Sequence, residues 1–146
     1  MTHLLDTNTC IYLIKNNPLR VVFYLRQHAP CDIVISSITL AELRYGANNS
    51  KFPAKNHRVL DDFVQPFHIE PFCKEAAQQY GEIYAQLRRA GQTIGYMDAL
   101  IASHALARNW VLVSNNLREF KRVPRLRCEN WAEPMQQQPS VSPEQR

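Results

Sequence analysis

Four carboxylates, Asp6, Glu42, Asp98 and Glu119, stand in contexts that set them apart from the other acids of this 146-residue chain. Asp6 follows the run His3-Leu4-Leu5, and a short buried strand ending on it would put the carboxylate at the C-terminal edge of a parallel sheet. In open α/β folds that edge is where ligands bind. Glu42 falls inside a helical pattern, about one turn beyond a second strand end. Asp98 lies in Gly95-Tyr96-Met97-Asp98-Ala99-Leu100-Ile101-Ala102, apolar on most sides. A largely buried charge is expected there, and it needs a cation or hydrogen-bond partners. Glu119 follows the turn Ser114-Asn115-Asn116 at a further strand end.

Each acid has a plainer alternative. Asp6 could only cap the next helix, Glu42 could face solvent, and Asp98 could answer a helix dipole. Glu119 could pair with Arg118, Lys121 or Arg122 on the surface. Together they say more. Oxygen donors without His or Cys at ligand spacing suit Mg²⁺ or Mn²⁺ rather than zinc. Several carboxylates at one sheet edge repel one another unless a divalent ion joins them. Such an ion can deprotonate a water and stabilise charge on a phosphoryl group.

The elements that must position these acids are legible in outline. After Asp6, residues 9–15 read as a short helix, capped by Thr7 or Asn8 and stopped by Asn16-Asn17-Pro18. A second helix is expected over 19–27. The β-branched run 31–36 suits an inner strand, and Ser36-Ser37 then ends it and can cap a helix over 38–47. Residues 48–55 read as a polar loop, 57–64 as a helix and 67–70 as a short strand. Tyr80, Ile83, Tyr84 and Leu87 fall on one face of a helix over 74–89. A loop over 92–95 leads to a helix over 96–107. Residues 110–113 form a strand, and Leu126 and Cys128 a last short one. Alternation of strands and helices predicts an α/β fold, a mostly parallel sheet with helices on both faces. One domain over 1–131 is expected, followed by a disordered tail over 132–146, where Gln136-Gln137-Gln138 and prolines 139 and 143 gather.

Composition limits the partners. Net charge is +4, which suits a polyanion such as nucleic acid. Arg118, Lys121, Arg122, Arg125 and Arg127 crowd one late segment, and Arg88 and Arg89 form a second group. The four cysteines form no CxxC pair, and reduced thiols in a cytoplasmic protein are expected. No secretory leader and no membrane-spanning run is visible. The five histidines show no ligand spacing, and His104 is expected to be structural.

Four stretches, in this order, are similar to the PIN-domain ribonucleases and, within them, to VapC toxins of type II toxin–antitoxin (VapBC) pairs. They are Leu4-Leu5-Asp6-Thr7-Asn8, the run Ser36 to Leu43 with Tyr45-Gly46, the run Gly95 to Ala102, and Leu112-Val113-Ser114-Asn115-Asn116 with Arg118-Glu119-Phe120. The resemblance implies a three-layer α/β/α sandwich, a Mg²⁺ or Mn²⁺ site, cleavage of RNA (tRNA being the leaning), a homodimer, and a VapB-type antitoxin that blocks the site. It assigns Asp6, Glu42 and Asp98 as the core acids and metal ligands. Thr7 and Ser114 would be hydroxyls that orient them. Many relatives carry an aspartate where this chain has Asn116. Either Glu119 supplies the last carboxylate, or Asn116 holds the metal or a water through its amide. Arg118, Lys121 and Arg122 would hold the RNA backbone.

Three other readings stay open. A haloacid-dehalogenase-type phosphatase wants a second acid two residues after the first, and here that residue is Asn8. A metal-dependent DNA nuclease would use the same metal chemistry. A non-enzymatic RNA-binding module would use basic and stacking residues without a carboxylate cluster.

Overall fold

A computed structural model describes residues 1–134. Five parallel strands form one sheet in the order β3-β2-β1-β4-β5. They are β1 (His3–Leu5), β2 (Ile33–Ser36), β3 (His68–Glu70), β4 (Val111–Val113) and β5 (Cys128–Glu129). The helices are α1 (Thr7–Lys15), α2 (Leu19–Arg26), α3 (Ser37–Asn48), α4 (Pro53–Val64), α5 (Lys74–Arg89), α6 (Tyr96–Arg108) and α7 (Leu117–Phe120).

The three central strands are mostly apolar and fully buried because both faces of the sheet are covered there, while the edge strands β3 and β5 carry His68, Glu70 and Glu129. Side chains alternate between the two faces. Leu4, Val34 and Leu112 join one core with Ile83 and Leu87 of α5, Ala99, Ile101 and Ala102 of α6, and Phe120 of α7. Leu5, Ile33, Ile35 and Val113 join the other with Cys10 and Leu13 of α1, Val21 of α2, Leu43 of α3, Leu60 of α4 and Trp131. Helix, sheet and helix make three layers, as the alternation predicted. Burial pushes the Cys10 thiol up and the Cys128 thiol to about 12, and all four cysteines are free. No helix among the described residues is long and apolar enough to cross a membrane.

Several boundaries differ from expectation. α1 starts at Thr7 and is capped by Asp6, not by Thr7 or Asn8. The carboxylate sits one residue beyond β1, and its Oδ1 accepts from the Thr9 N–H at 2.8 Å, so it ends the strand by starting the helix. α4 starts at Pro53, inside the expected loop, because proline fits the first helical turn. α7 was not foreseen, since one turn carries no periodic signal. The last strand is Cys128–Glu129 without Leu126, which is buried in the core. Ala132 packs against the second core and donates its N–H to Asn130 Oδ1 at 2.9 Å. Of the expected tail, 135–146 lie outside the described residues.

Candidate active site

The parallel order places the ends of β1, β2 and β4 side by side, with β1 between the other two. Asp6 follows β1, Ser36-Ser37 opens α3 beyond β2, and Ser114 follows β4. The Asp6 N–H donates to the Val113 carbonyl at 3.0 Å, and Thr9 Oγ1 donates to the same carbonyl at 3.1 Å. These bonds lock the β1 turn to the end of β4.

Asp6 is buried, and burial pushes its carboxyl up. Hydrogen bonds from the Ser114 hydroxyl and from Thr9 act in the opposite direction, and the charge of Glu42 adds to the rise. Ser114 Oγ also accepts the Asn116 N–H at 2.9 Å, so one hydroxyl orients both the first acid and the turn after β4. Glu42 lies one turn into α3, and its Oε1 accepts from Thr7 Oγ1 at 2.7 Å. That bond spans two elements and fixes the glutamate beside Asp6.

Asp98 lies in the first turn of α6. It is half-buried rather than largely buried, because the start of the helix is open to solvent. Its carboxyl is pushed up to about 6, first by burial and then by the charges of Asp6, Glu119 and Glu42. The four acids therefore share one field. Asn116 Nδ2 faces Asp98 Oδ2 at 3.5 Å and donates to Glu119 Oε2 at 3.1 Å. The surface pairing of Glu119 with Arg118, Lys121 or Arg122 does not form among the described residues. α7 turns the glutamate inward to Asn116 instead. Of the three cations, Arg118 and Lys121 are exposed. Arg122 donates to the Thr93 carbonyl at 2.9 Å, which ties α7 to the loop before Asp98.

Among the described residues, none of the four acids makes an ion pair, and no group of three or more His, Cys, Asp or Glu side chains lies close enough together to hold a metal ion. The cluster is open, and its carboxylates repel one another. An open set of oxygen donors fits Mg²⁺, which keeps several waters and takes only one or two protein carboxylates. His104 stands away from it in the core, its Nδ1 sharing a hydrogen bond with Ser36 Oγ at 2.9 Å.

Two features escaped the sequence. The Asn116 amide connects Asp98 and Glu119, a contact between residues too far apart in the chain for any local signal. The other is a groove of about 310 Å³ that starts at Thr7 and Glu42 and runs between α1, α3 and α4 along Ile11, Ile14, Leu43, Val59 and Leu60.

Known proteins share this fold. The PIN domain family model matches residues 3–126. Ribonuclease VapC2 of Haemophilus influenzae is 44% identical over 131 residues, covering 90% of this chain and 98% of that protein. The tRNA(fMet)-specific endonuclease VapC of Salmonella typhimurium is 45% identical over 130 residues, covering 88% and 96%. The structure of VapBC2 from Rickettsia felis bound to a DNA fragment from their promoter superposes with a TM-score of 0.84 at 44% identity, covering 90% of this chain and 99% of that one. The matched span takes in all four carboxylates and every strand but the last, and the chain belongs to the PIN-domain family.

Proposed function

We propose that this chain is a divalent-metal-dependent endoribonuclease, the toxin of a VapBC-type toxin–antitoxin pair, with tRNA as its substrate and arrest of translation as its effect. The observation that carries the reading is that Asp6 at the end of β1, Glu42 of α3 and Asp98 of α6 share one field at the sheet edge. Relatives named ribonuclease and tRNA(fMet)-specific endonuclease support RNA over DNA.

Asp6, Glu42 and Asp98 would hold Mg²⁺ or Mn²⁺. The bound ion would supply a water of lowered pKa and offset charge on the phosphate. Thr9 N–H and Ser114 keep Asp6 aimed at the edge, and Thr7 keeps Glu42 there. These bonds set the acids in place before substrate arrives. Glu119, steadied by Asn116, would accept a proton from the attacking water or complete the ligand set. Exposed Arg118 and Lys121, with Arg122, would hold the RNA backbone through its phosphates.

The partner reading rests on the solved relatives, which are VapBC complexes. A segment of a VapB-type antitoxin would lie in the apolar groove and reach the acids at its Glu42 end. The toxin itself would be a homodimer working in the cytoplasm, with residues 1–131 as its catalytic domain.

The test incubates purified protein with total tRNA and Mg²⁺, Mn²⁺ or EDTA. Discrete cleavage is expected with either metal, none with EDTA, and none from Asp6→Asn. Equal cutting in chelator, or cutting of DNA alone, would overturn the proposal.

A further inference from the structure

At the opening of α6, two residues before Asp98, Tyr96 is 67% exposed. One face of its ring stacks on Tyr84 of α5 at 5.4 Å between centroids and 27° between planes. Tyr84 in turn stacks on Tyr80 at 5.5 Å and 15°. Three rings from two helices thus form a ladder whose outer rung is covered on one face and open on the other. Its neighbour Met97 is 47% exposed, which extends the apolar surface toward the carboxylates.

The surroundings are basic. Arg88 and Arg89 occupy the last turn of α5, and Arg88 is close enough to Tyr84 to act on its phenol. Arg122 is tied to Thr93, three residues before Tyr96. A large aromatic ring costs free energy when left in water, and holding it by two others costs nothing further at the moment of binding. A preorganised ring with one open face beside guanidinium groups is how proteins take an unpaired base, because every base has a π-face and every nucleotide a phosphate.

We infer that Tyr96, backed by Tyr84 and Tyr80, is a stacking platform for an unpaired base of the RNA next to the scissile phosphate, with Arg88 and Arg89 holding the adjoining backbone. The inference rests on the endoribonuclease reading and adds where the chain grips its substrate and in what state. It commits to single-stranded RNA, such as a loop, since a paired base has no free face to offer.

The experiment uses the full chain carrying Asp6→Asn, so that RNA stays intact. The probe is a set of short unstructured RNAs with 2-aminopurine at each position in turn. One position should be quenched on binding, because stacking quenches this base. Tyr96→Phe should keep the quench, and Tyr96→Leu should lose it and weaken binding about tenfold. In the active chain the same Tyr96→Leu change should raise KM by a similar factor and leave kcat largely intact. Tyr96 is exposed, so a thermal melt should show each variant folded. Unchanged quenching and affinity in Tyr96→Leu would overturn the platform. Sedimentation runs alongside: if Tyr96→Leu dissociates a dimer and RNA binding falls only with it, the ladder is a contact between copies and the platform is likewise overturned. An active chain that cleaves no RNA would fail the endoribonuclease reading instead, whatever the binding assay shows.

Discussion

Asp98 folds at a cost whenever it is ionised. Its carboxyl is pushed up to about 6 in the fold, against an ordinary 3.8 when the chain is open. As pH rises from 3.8 to about 6, the unfolded chain releases this proton and the folded one keeps it. Stability is therefore lost across that window and stays lower above it. Asp98→Asn removes the penalty. A shift of this size converts to about 3 kcal/mol in full. Solvent screening at a half-exposed site reduces that to on the order of 1 kcal/mol. Urea unfolding without divalent ions should show Asp98→Asn the more stable at pH 8 and equal to the parent at pH 4. Adding Mg²⁺ should then favour the parent, which binds the ion in its folded state. A variant less stable at both pH values would sink this account.

The same shift governs activity. Ligand carboxylates must be ionised to hold a metal, so protons compete with the ion. At limiting Mg²⁺, cleavage should fall as pH drops through about 6, and high Mg²⁺ should restore it. A fall that no concentration of Mg²⁺ restores would place the proton elsewhere.

Asn116 and Glu119 are separable by charge. Glu119→Gln keeps the shape that meets Asn116 and removes one negative charge near the ion. Activity should drop and partly recover at high Mg²⁺. Asn116→Asp adds a charge and should hold or raise metal affinity. Titrating Mg²⁺ against cleavage rate decides the matter, and a Glu119→Gln curve that overlays the parent would take Glu119 out of the site.

Among the elements, α3 shows how one residue serves two tasks. Ser36 ends β2, its hydroxyl accepts the Ile38 N–H at 3.1 Å, and the same oxygen meets His104 of α6 at 2.9 Å. Ser36→Ala uncaps the helix that carries Glu42 and leaves a buried imidazole nitrogen without that partner. The loss should be about 2 kcal/mol, read by chemical denaturation. A change below about 0.5 kcal/mol would mean water replaces the hydroxyl in both roles.

Most of this frame could be read from the chain. Apolar runs end on Asp6, Ser36 and Ser114, so strand ends and the acids near them were visible together. Tyr80 and Tyr84 were visible as one face of α5. What stayed hidden depends on residues distant in sequence. The stack of Tyr96 on Tyr84 crosses a loop, and the bond from Ser114 to Asp6 crosses most of the chain. Glu119 stood as a candidate acid with surface pairing to Arg118, Lys121 or Arg122 as its alternative, because a single helical turn, α7, gives no pattern that would decide which way it points.

At the scale of the whole molecule, the sequence carries 17 basic residues against 13 acidic ones, and four of the acids gather at one edge of the sheet. The rest of the surface is accordingly more positive than the net charge of +4 conveys. RNA binding by the Asp6→Asn chain should weaken with salt on a log–log line. Replacing both Arg118 and Lys121 by Gln should flatten the slope by roughly 0.7 for each phosphate left without its cation. An unaltered slope would move the phosphate-binding cations away from α7.

The bond from the Asp6 N–H to the Val113 carbonyl also has a meaning in time. A ribosome makes Asp6 more than a hundred residues before Val113, in the strand that flanks it on one side. Until β4 is released, Asp6 lacks Val113 and Ser114, and nothing joins Asp98 to Glu119. Through that interval the nascent chain carries its first acid without a working edge. An inhibitor already in the cell gains that interval to be waiting when β1 and β4 pair.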